Sequence, residues 1–373
     1  MQKKIIALAI AAAFAAPVAA MADATVYGVV DGGFRSVTTN GNTLNTMGSG
    51  VLNSNRFGVV VSEDLGGGMK ANVKLETDIT TGTGQDVPAN GQSFNLFSRQ
   101  ATVGLSSDMG AIDLGHQYTT AFKVNTVIDP FGHQYIGITS ANAASGVAIS
   151  GLTLKVAPIT RNDNDFAYTG KFGDVTVFAD RSMGSNSSAT TIAAPNGGTA
   201  QGSVGSDAGA TTAAGATFVS GPVIAAASYT VVKSNTTNSA AVSADMTHWQ
   251  VGAGFNFGAG KVLVGYADQK NADQSAIGTY AAGSEVGTKN IWIGGNFNVS
   301  DRVNVGAAYY KTTTTTTGAA DVVGTNVVAS VTYALSKKTA LYVEADKQTS
   351  DKVTSGVTAS DTNGYSAGLS VAF

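Results

Sequence analysis

Apolar and non-apolar residues alternate with a period of two along most of the chain. The final stretch, Asn363 to Phe373, is the clearest case: Tyr365, Ala367, Leu369, Val371 and Phe373 alternate with Gly364, Ser366, Gly368, Ser370 and Ala372. Side chains of a strand point alternately to opposite faces, so this pattern describes a ribbon with one apolar face and one small or polar face. Trp249, Val251, Ala253, Phe255 and Phe257 oppose His248, Gln250, Gly252, Gly254 and Asn256 in the same way, and Val327, Ala329, Val331, Tyr333 and Leu335 oppose Asn326, Ser330 and Thr332. Between Lys70 and Asp78 one face holds Lys70, Asn72, Lys74, Glu76 and Asp78. A one-residue slip there would drive each of those charges into an apolar surround, at ~2–4 kcal/mol for a Lys at a bilayer midplane, so the register is strongly specified.

Tight turns punctuate the pattern at Asp64 to Met69, Ser106 to Gly110, Lys171 to Asp174, Ser220 to Pro222, Gly258 to Gly260, Val299 to Arg302 and Ser336 to Lys338. Each is flanked by alternating segments of about ten residues, the length a tilted strand needs to cross a bilayer. Longer connections rich in Gly, Ser, Thr and Asn, such as Ser182 to Ala210 and Gln269 to Gly287, lie between these hairpins. The ledger predicts an all-β chain folded as a sixteen-stranded antiparallel transmembrane barrel. An even strand count puts both termini on the side of the short turns, the periplasmic side. A two-sheet soluble sandwich shares such spacing but packs two apolar faces on each other beneath a polar exterior, and the non-apolar faces here, rich in Gly, Asn and Thr, are compatible with the interior of a barrel. Trp249, Phe257, Trp292, Tyr309, Tyr333 and Phe373 fall near strand ends, where interfacial aromatic girdles are expected.

Composition sharpens this picture. Charged residues make up 13% of the 373-residue chain, against about 25% in ordinary soluble domains, while the hydrophobic share of 43% is ordinary. The net charge of −3 and the lack of a basic tract argue against a nucleic-acid partner. No cysteine is present, which removes disulfides, thiolate nucleophiles and Cys-type zinc sites together. Lys3 and Lys4 precede an apolar run from Ile5 to Ala20, and Ala20-Met21-Ala22 offers small residues for signal peptidase, so residues 1–22 are expected to be an export signal and 23–373 the barrel domain. No later stretch has 18 consecutive apolar residues, which leaves strands as the spanning elements.

Chemistry-bearing motifs are few. His116, His133 and His248 stand in no local motif with Ser or Asp, so a barrel-borne hydrolase is the weaker alternative, and no catalytic residue is assigned. Asn162-Asp163-Asn164-Asp165 lacks the Gly and later Glu of a calcium loop, and Gly254 to Gly260 has the wrong spacing for a dinucleotide fingerprint. Neither a metal nor a cofactor is expected.

Ordered blocks then carry a family resemblance. Ala24-Thr25-Val26-Tyr27-Gly28-Val29-Val30-Asp31, Asn55-Arg56-Phe57-Gly58, Ser62-Glu63-Asp64-Leu65-Gly66-Gly67-Gly68-Met69-Lys70-Ala71, Ser98-Arg99-Gln100-Ala101-Thr102-Val103-Gly104-Leu105 and Leu114-Gly115-His116-Gln117-Tyr118 resemble the general, trimeric porins of Gram-negative outer membranes, of the proteobacterial type. Asp129-Pro130-Phe131-Gly132 resembles part of that family's third loop, here Thr119 to Thr160, and Arg161 to Tyr168 the strand after it. The resemblance implies a third loop folded into the lumen, a water-filled channel for ions and small hydrophilic solutes, a homotrimer in outer-membrane lipid, and a weak anion preference. It also implies a constriction with Arg56, Arg99 and Arg161 on the wall, opposed by Glu76 and by Asp129 on the loop. Arginine suits such a site because its guanidinium stays charged beside other cations. Two departures stand out: His116 replaces a common Arg, and Ser140 to Lys155 alternates weakly. By parity Arg99 shares a phase with the apolar Val103, so its place in the lumen requires an irregularity. A substrate-specific channel is the main alternative, but the third loop offers only Lys123, Lys155, Phe122, Phe131 and Tyr135 as candidate track residues.

Overall fold

The computed structural model describes residues 23–82, 96–134, 160–183, 192–193, 199–200, 209–233, 245–271, 286–316, 320–351 and 360–373. The proposed export signal and the segment from Ser140 to Lys155 lie outside the described residues. In chain order the strands are β1 (Asp23–Thr39), β2 (Asn42–Ser49), β3 (Arg56–Gly66), β4 (Met69–Thr77), β5 (Gln100–Ser107) and β6 (Gly110–Tyr118), followed by the helix α1 (Thr120–Ile128). Then come β7 (Arg161–Phe172), β8 (Val175–Ser182), the two-residue strands β9 (Ile192–Ala193) and β10 (Thr199–Ala200), β11 (Thr211–Ser220), β12 (Val223–Val232) and β13 (Met246–Asn256). The wall continues with β14 (Gly260–Asn271), β15 (Val286–Asn298), β16 (Val303–Thr316), β17 (Val322–Ala334), β18 (Thr339–Asp351) and β19 (Ser360–Ala372).

One antiparallel sheet of 17 strands closes on itself, because β1 pairs with β19 from Val29↔Ala372 to Thr39↔Thr362. The lower half of β1 pairs with β3 and its upper half with β2. These two share a single wall position, so the barrel has the 16 strands expected. Closure leaves no unpaired edge around the belt, the condition for spanning lipid with strands. All seven tight turns of the sequence reading join consecutive wall strands, and both barrel ends lie with them: Phe373 N donates to Gly28 O at 3.1 Å and Ala372 N to Lys338 O at 2.7 Å.

Side-chain parity follows the sequence pattern. Val251, Phe255, Val327, Val331, Tyr365 and Leu369 are exposed on the outer face, while Gln250, Asn326, Ser366 and Ser370 are buried on the inner one. Trp249, Phe257, Tyr309, Tyr333 and Phe373 are exposed as a girdle requires, but Trp292 is fully buried. Its strand neighbours Ile291 and Ile293 take the outer face, so the same alternation that builds the wall turns Trp292 inward.

The break between β2 and β3 was not visible in the pattern. Gly50 adopts φ +66° and the chain dips inward, burying Val51 and Leu52. Amides released from the ladder need acceptors. Asp31, itself fully buried, supplies them: its carboxylate accepts from Val51 N at 2.8 Å, Leu52 N at 3.4 Å and Asn53 N at 3.3 Å, and from Tyr342 Oη at 2.9 Å.

Candidate functional site

The inner wall from β3 to β7 is built from charge. Glu76, near the end of β4, is 1% exposed and accepts from Tyr27 Oη at 2.6 Å and from Arg99 Nε at 2.7 Å. Arg99 Nη1 donates to Asp78 at 2.7 Å and its Nη2 to Tyr118 Oη at 2.5 Å. Arg161 Nη2 reaches the same hydroxyl at 3.0 Å, with its guanidinium 4.6 Å from the Tyr118 ring centre. A phenol oxygen accepts two such bonds, so Tyr118 ties the two arginines together. The parity conflict of Arg99 disappears because it stands just before β5 begins at Gln100 and is free of the strand phase that turns Val103 outward.

Of the five expected constriction residues, Glu76, Arg99 and Arg161 therefore meet in one network. Arg56 stands at the head of β3 and donates to Ser54 O at 3.1 Å, and among the described residues it has no carboxylate partner. Asp129 does not face these arginines across water. It is 1% exposed and its carboxylate is used up by Phe131 N at 3.0 Å, His133 N at 2.9 Å and Tyr310 Oη of β16 at 2.8 Å. The Asp-Pro pair closes the turn after α1 and pins it to the wall. His116 bonds to Asp163 at 2.5 Å and, through Nε2, to Ser98 O at 3.1 Å.

The wall from β11 to β18 is different. α1 lies inside the barrel along it, capped by Thr119, whose hydroxyl accepts from Phe122 N at 3.1 Å. Ala121, Val124, Asn125 and Ile128 recur at the i, i+3, i+4, i+7 spacing of one helical face and are all buried. Val124, Ile128 and Phe131 join Ile224, Leu263, Trp292, Tyr310 and Val328 in a dry seam that also takes in Tyr342, Val51 and Leu52. The wall makes room with missing side chains: a Cβ on Gly215 would sit 2.9 Å from both Thr120 Cγ2 and Val124 Cγ2, and one on Gly252 would sit 2.7 Å from Ile128 Cδ1. Polar wall groups then satisfy the helix. Gln250 Nε2 donates to Ala121 O at 2.6 Å and its Oε1 accepts from Asn125 Nδ2 at 2.9 Å, while Trp292 Nε1 donates to Ile128 O at 2.8 Å. Asn125 Oδ1 in turn contacts His133 Nε2. Burial pushes the His133 imidazole below its ordinary range, with the Asp129 carboxylate pulling the other way.

Sequence reasoning missed this helix and a second ionic cluster. Arg35 of β1 bridges Glu344 at 3.4 Å and Asp346 at 3.0 Å on β18, and donates to Ser366 at 2.8 Å. The helical spacing of residues 121, 124, 125 and 128, and the shared parity of residues 344 and 346, were the signals that could have found them.

Comparison with known proteins places this architecture. A family model described as Gram-negative porin matches residues 7–354. An outer membrane porin protein of Bordetella pertussis is 34% identical over 164 residues, covering 40% of this chain and 41% of that protein. Outer membrane porin protein 32 of Delftia acidovorans is 36% identical over 139 residues, covering 37% and 38%. The chain thus spans about two fifths of the length of the curated relatives it matches. The solved structure of an anion-selective porin from Comamonas acidovorans overlays with a TM-score of 0.71 at 22% identity, over 95% of this chain and 100% of that one, which bears on the fold. With the closed sixteen-strand wall and the helix inside it, the match across nearly the whole sequence identifies the chain as a member of the Gram-negative porin family, a protein of the outer membrane.

Proposed function

We propose that the protein is a passive diffusion channel for ions and small hydrophilic solutes, weakly anion-preferring and non-catalytic. The observation that carries this reading is the inner face: a closed barrel whose inward side chains from β3 to β7 are charged and polar, with α1 seated on the opposite wall. Arg99 gives little net positive charge, because Glu76 and Asp78 both pair with it. Arg56 and Arg161 have no carboxylate partner among the described residues, and they supply the excess that favours anions. Screening over ~8 Å at physiological ionic strength confines that preference to the narrow zone.

A hydrolase reading is not supported by the histidine with the best acid partner. His116 has Asp163 on one ring nitrogen, but the other meets the Ser98 backbone carbonyl where a nucleophile hydroxyl would have to stand. A homotrimer is part of the proposal through family membership.

Planar-bilayer recording of purified protein in a salt gradient tests the reading. Stepwise insertions with an anion-side reversal potential are expected, and a cation-side reversal would overturn the charge assignment.

A further inference from the structure

The root of α1 emerges beside a patch of acid. In one cross-strand row Asp113 of β6 pairs with Ala167 of β7, which pairs with Asp180 of β8; in the next row on the same face Gly115 pairs with Asp165 and Asp165 with Ser182. Asp180 Oδ2 accepts from Thr120 N at 2.7 Å, and Asn162 Nδ2 bridges Asp180 Oδ1 at 3.0 Å and Asp165 Oδ1 at 3.4 Å. Asp165 is 2% exposed, and both of its oxygens lie away from open water, with Asn162 and Gln117 as its hydrogen-bonding neighbours. Two cations face the patch. Lys74 of β4 stands in the Gly115–Asp165 row, through Thr102, and Lys123 is one turn along α1 from the Thr120 amide that Asp180 holds. Burial pulls the Lys123 ammonium below its ordinary range while Asp180, Asp165 and Asp113 hold it up.

The polarity is the reverse of the expected constriction, in which the loop carries the acid and the wall the base. Here the loop base stands against wall acids, and three carboxylates outnumber two ammoniums. A cation drifting along this wall is attracted by the acid of the patch unless Lys123 is charged and in place.

We propose that Lys123 is a selectivity-determining residue of the channel, offsetting the Asp113, Asp165 and Asp180 patch at the root of α1 and so holding back cation passage. This rests on the diffusion-channel reading.

The test is reversal potential in planar bilayers under a tenfold KCl gradient, for the unaltered protein, Lys123→Gln, Lys123→Arg and Asp165→Asn, each first checked for heat-shifted electrophoretic mobility. One unit charge beside the path, screened by salt, is worth about a twofold change in the chloride-to-potassium permeability ratio. Lys123→Gln should lower the ratio by about that factor, Lys123→Arg should restore it, and Asp165→Asn should raise it. An unchanged ratio in folded Lys123→Gln overturns the proposal. If that variant does not fold, an unchanged ratio in Asp165→Asn overturns it instead. Absence of channels from the unaltered protein would sink the diffusion-channel reading itself, an outcome distinct from either.

Discussion

The two halves of the inner wall hold their shape by different physics. From β3 to β7, Glu76, Asp78, Arg99, Tyr118 and Arg161, with Tyr27 of the neighbouring β1, are joined by charge-assisted hydrogen bonds of 2.5 to 3.0 Å. Along the wall that carries α1, Val124, Ile128, Leu263, Trp292 and Tyr310 are packed into an apolar seam, and Gln250, Trp292 and Tyr310 supply the polar partners of the α1 segment. A charged wall can stay wet and still keep its side chains in place, because each carboxylate is fixed by a guanidinium or a phenol. A loop seated on a wet wall would exchange its contacts for water, so the seam under α1 is dry. Damage to the charged half should change which ions pass, and damage to the packed half should change how steadily they pass.

The largest expected effect is on the charged side. Arg99→Met strips the cation from two carboxylates, one of them buried, and should cost about 3–5 kcal/mol, because breaking a buried pair strands the other charge. The denaturant midpoint should drop and the reversal potential should move toward cations. If the midpoint falls without any shift in reversal potential, the network is structural and the division between the halves fails there.

Trp292→Phe keeps most of the packing but leaves Ile128 O without its donor, a loss of about 1–3 kcal/mol. Single-channel noise should rise while the reversal potential stays put. Gly252→Val forces side-chain atoms toward Ile128 and Val264 O, an overpacking cost of about 1–3 kcal/mol, and should unseat α1 with the same electrical signature. A selectivity change equal to that of Arg99→Met in either variant would erase the distinction.

The smallest expected effect is a pH dependence of the packed half. His133 follows α1 in the third loop, outside the wall strands, and burial lowers its folded pKa below the unfolded value. Its contribution is therefore present above the ordinary imidazole range near pH ~6.5 and is lost as pH falls toward the folded pKa. Channel closures should become more frequent on acidification in the unaltered protein, and this added acid dependence should be absent from His133→Asn. Equal acid responses in the two proteins would place the sensitivity elsewhere.

Much of the wall was legible because strand parity is a local property. The outer positions of β13, β17 and β19 and the seven short turns follow from residue order alone, and so does the inward place of Trp292, once its neighbours Ile291 and Ile293 are given priority over the habit of aromatics to sit in girdles. The partners of Asp129 were not legible, because a short acidic turn motif says nothing about which tyrosine lies across from it. Arg99 looked ambiguous because its phase depends on where β5 begins, and a strand end is fixed by the neighbouring ladder as much as by its own residues.

The sequence by itself determined the two-faced strands, their number and the side on which the termini meet, since each depends on alternation and turn spacing within a few residues. Only the tertiary structure decided that an apolar seam seats α1 inside the barrel, that β2 and β3 share one position around the Asp31 carboxylate, and that Glu76, Arg99 and Arg161 meet at Tyr118. Those contacts join residues tens to hundreds of positions apart. Barrel closure sets which of them face each other, and no local pattern encodes that pairing.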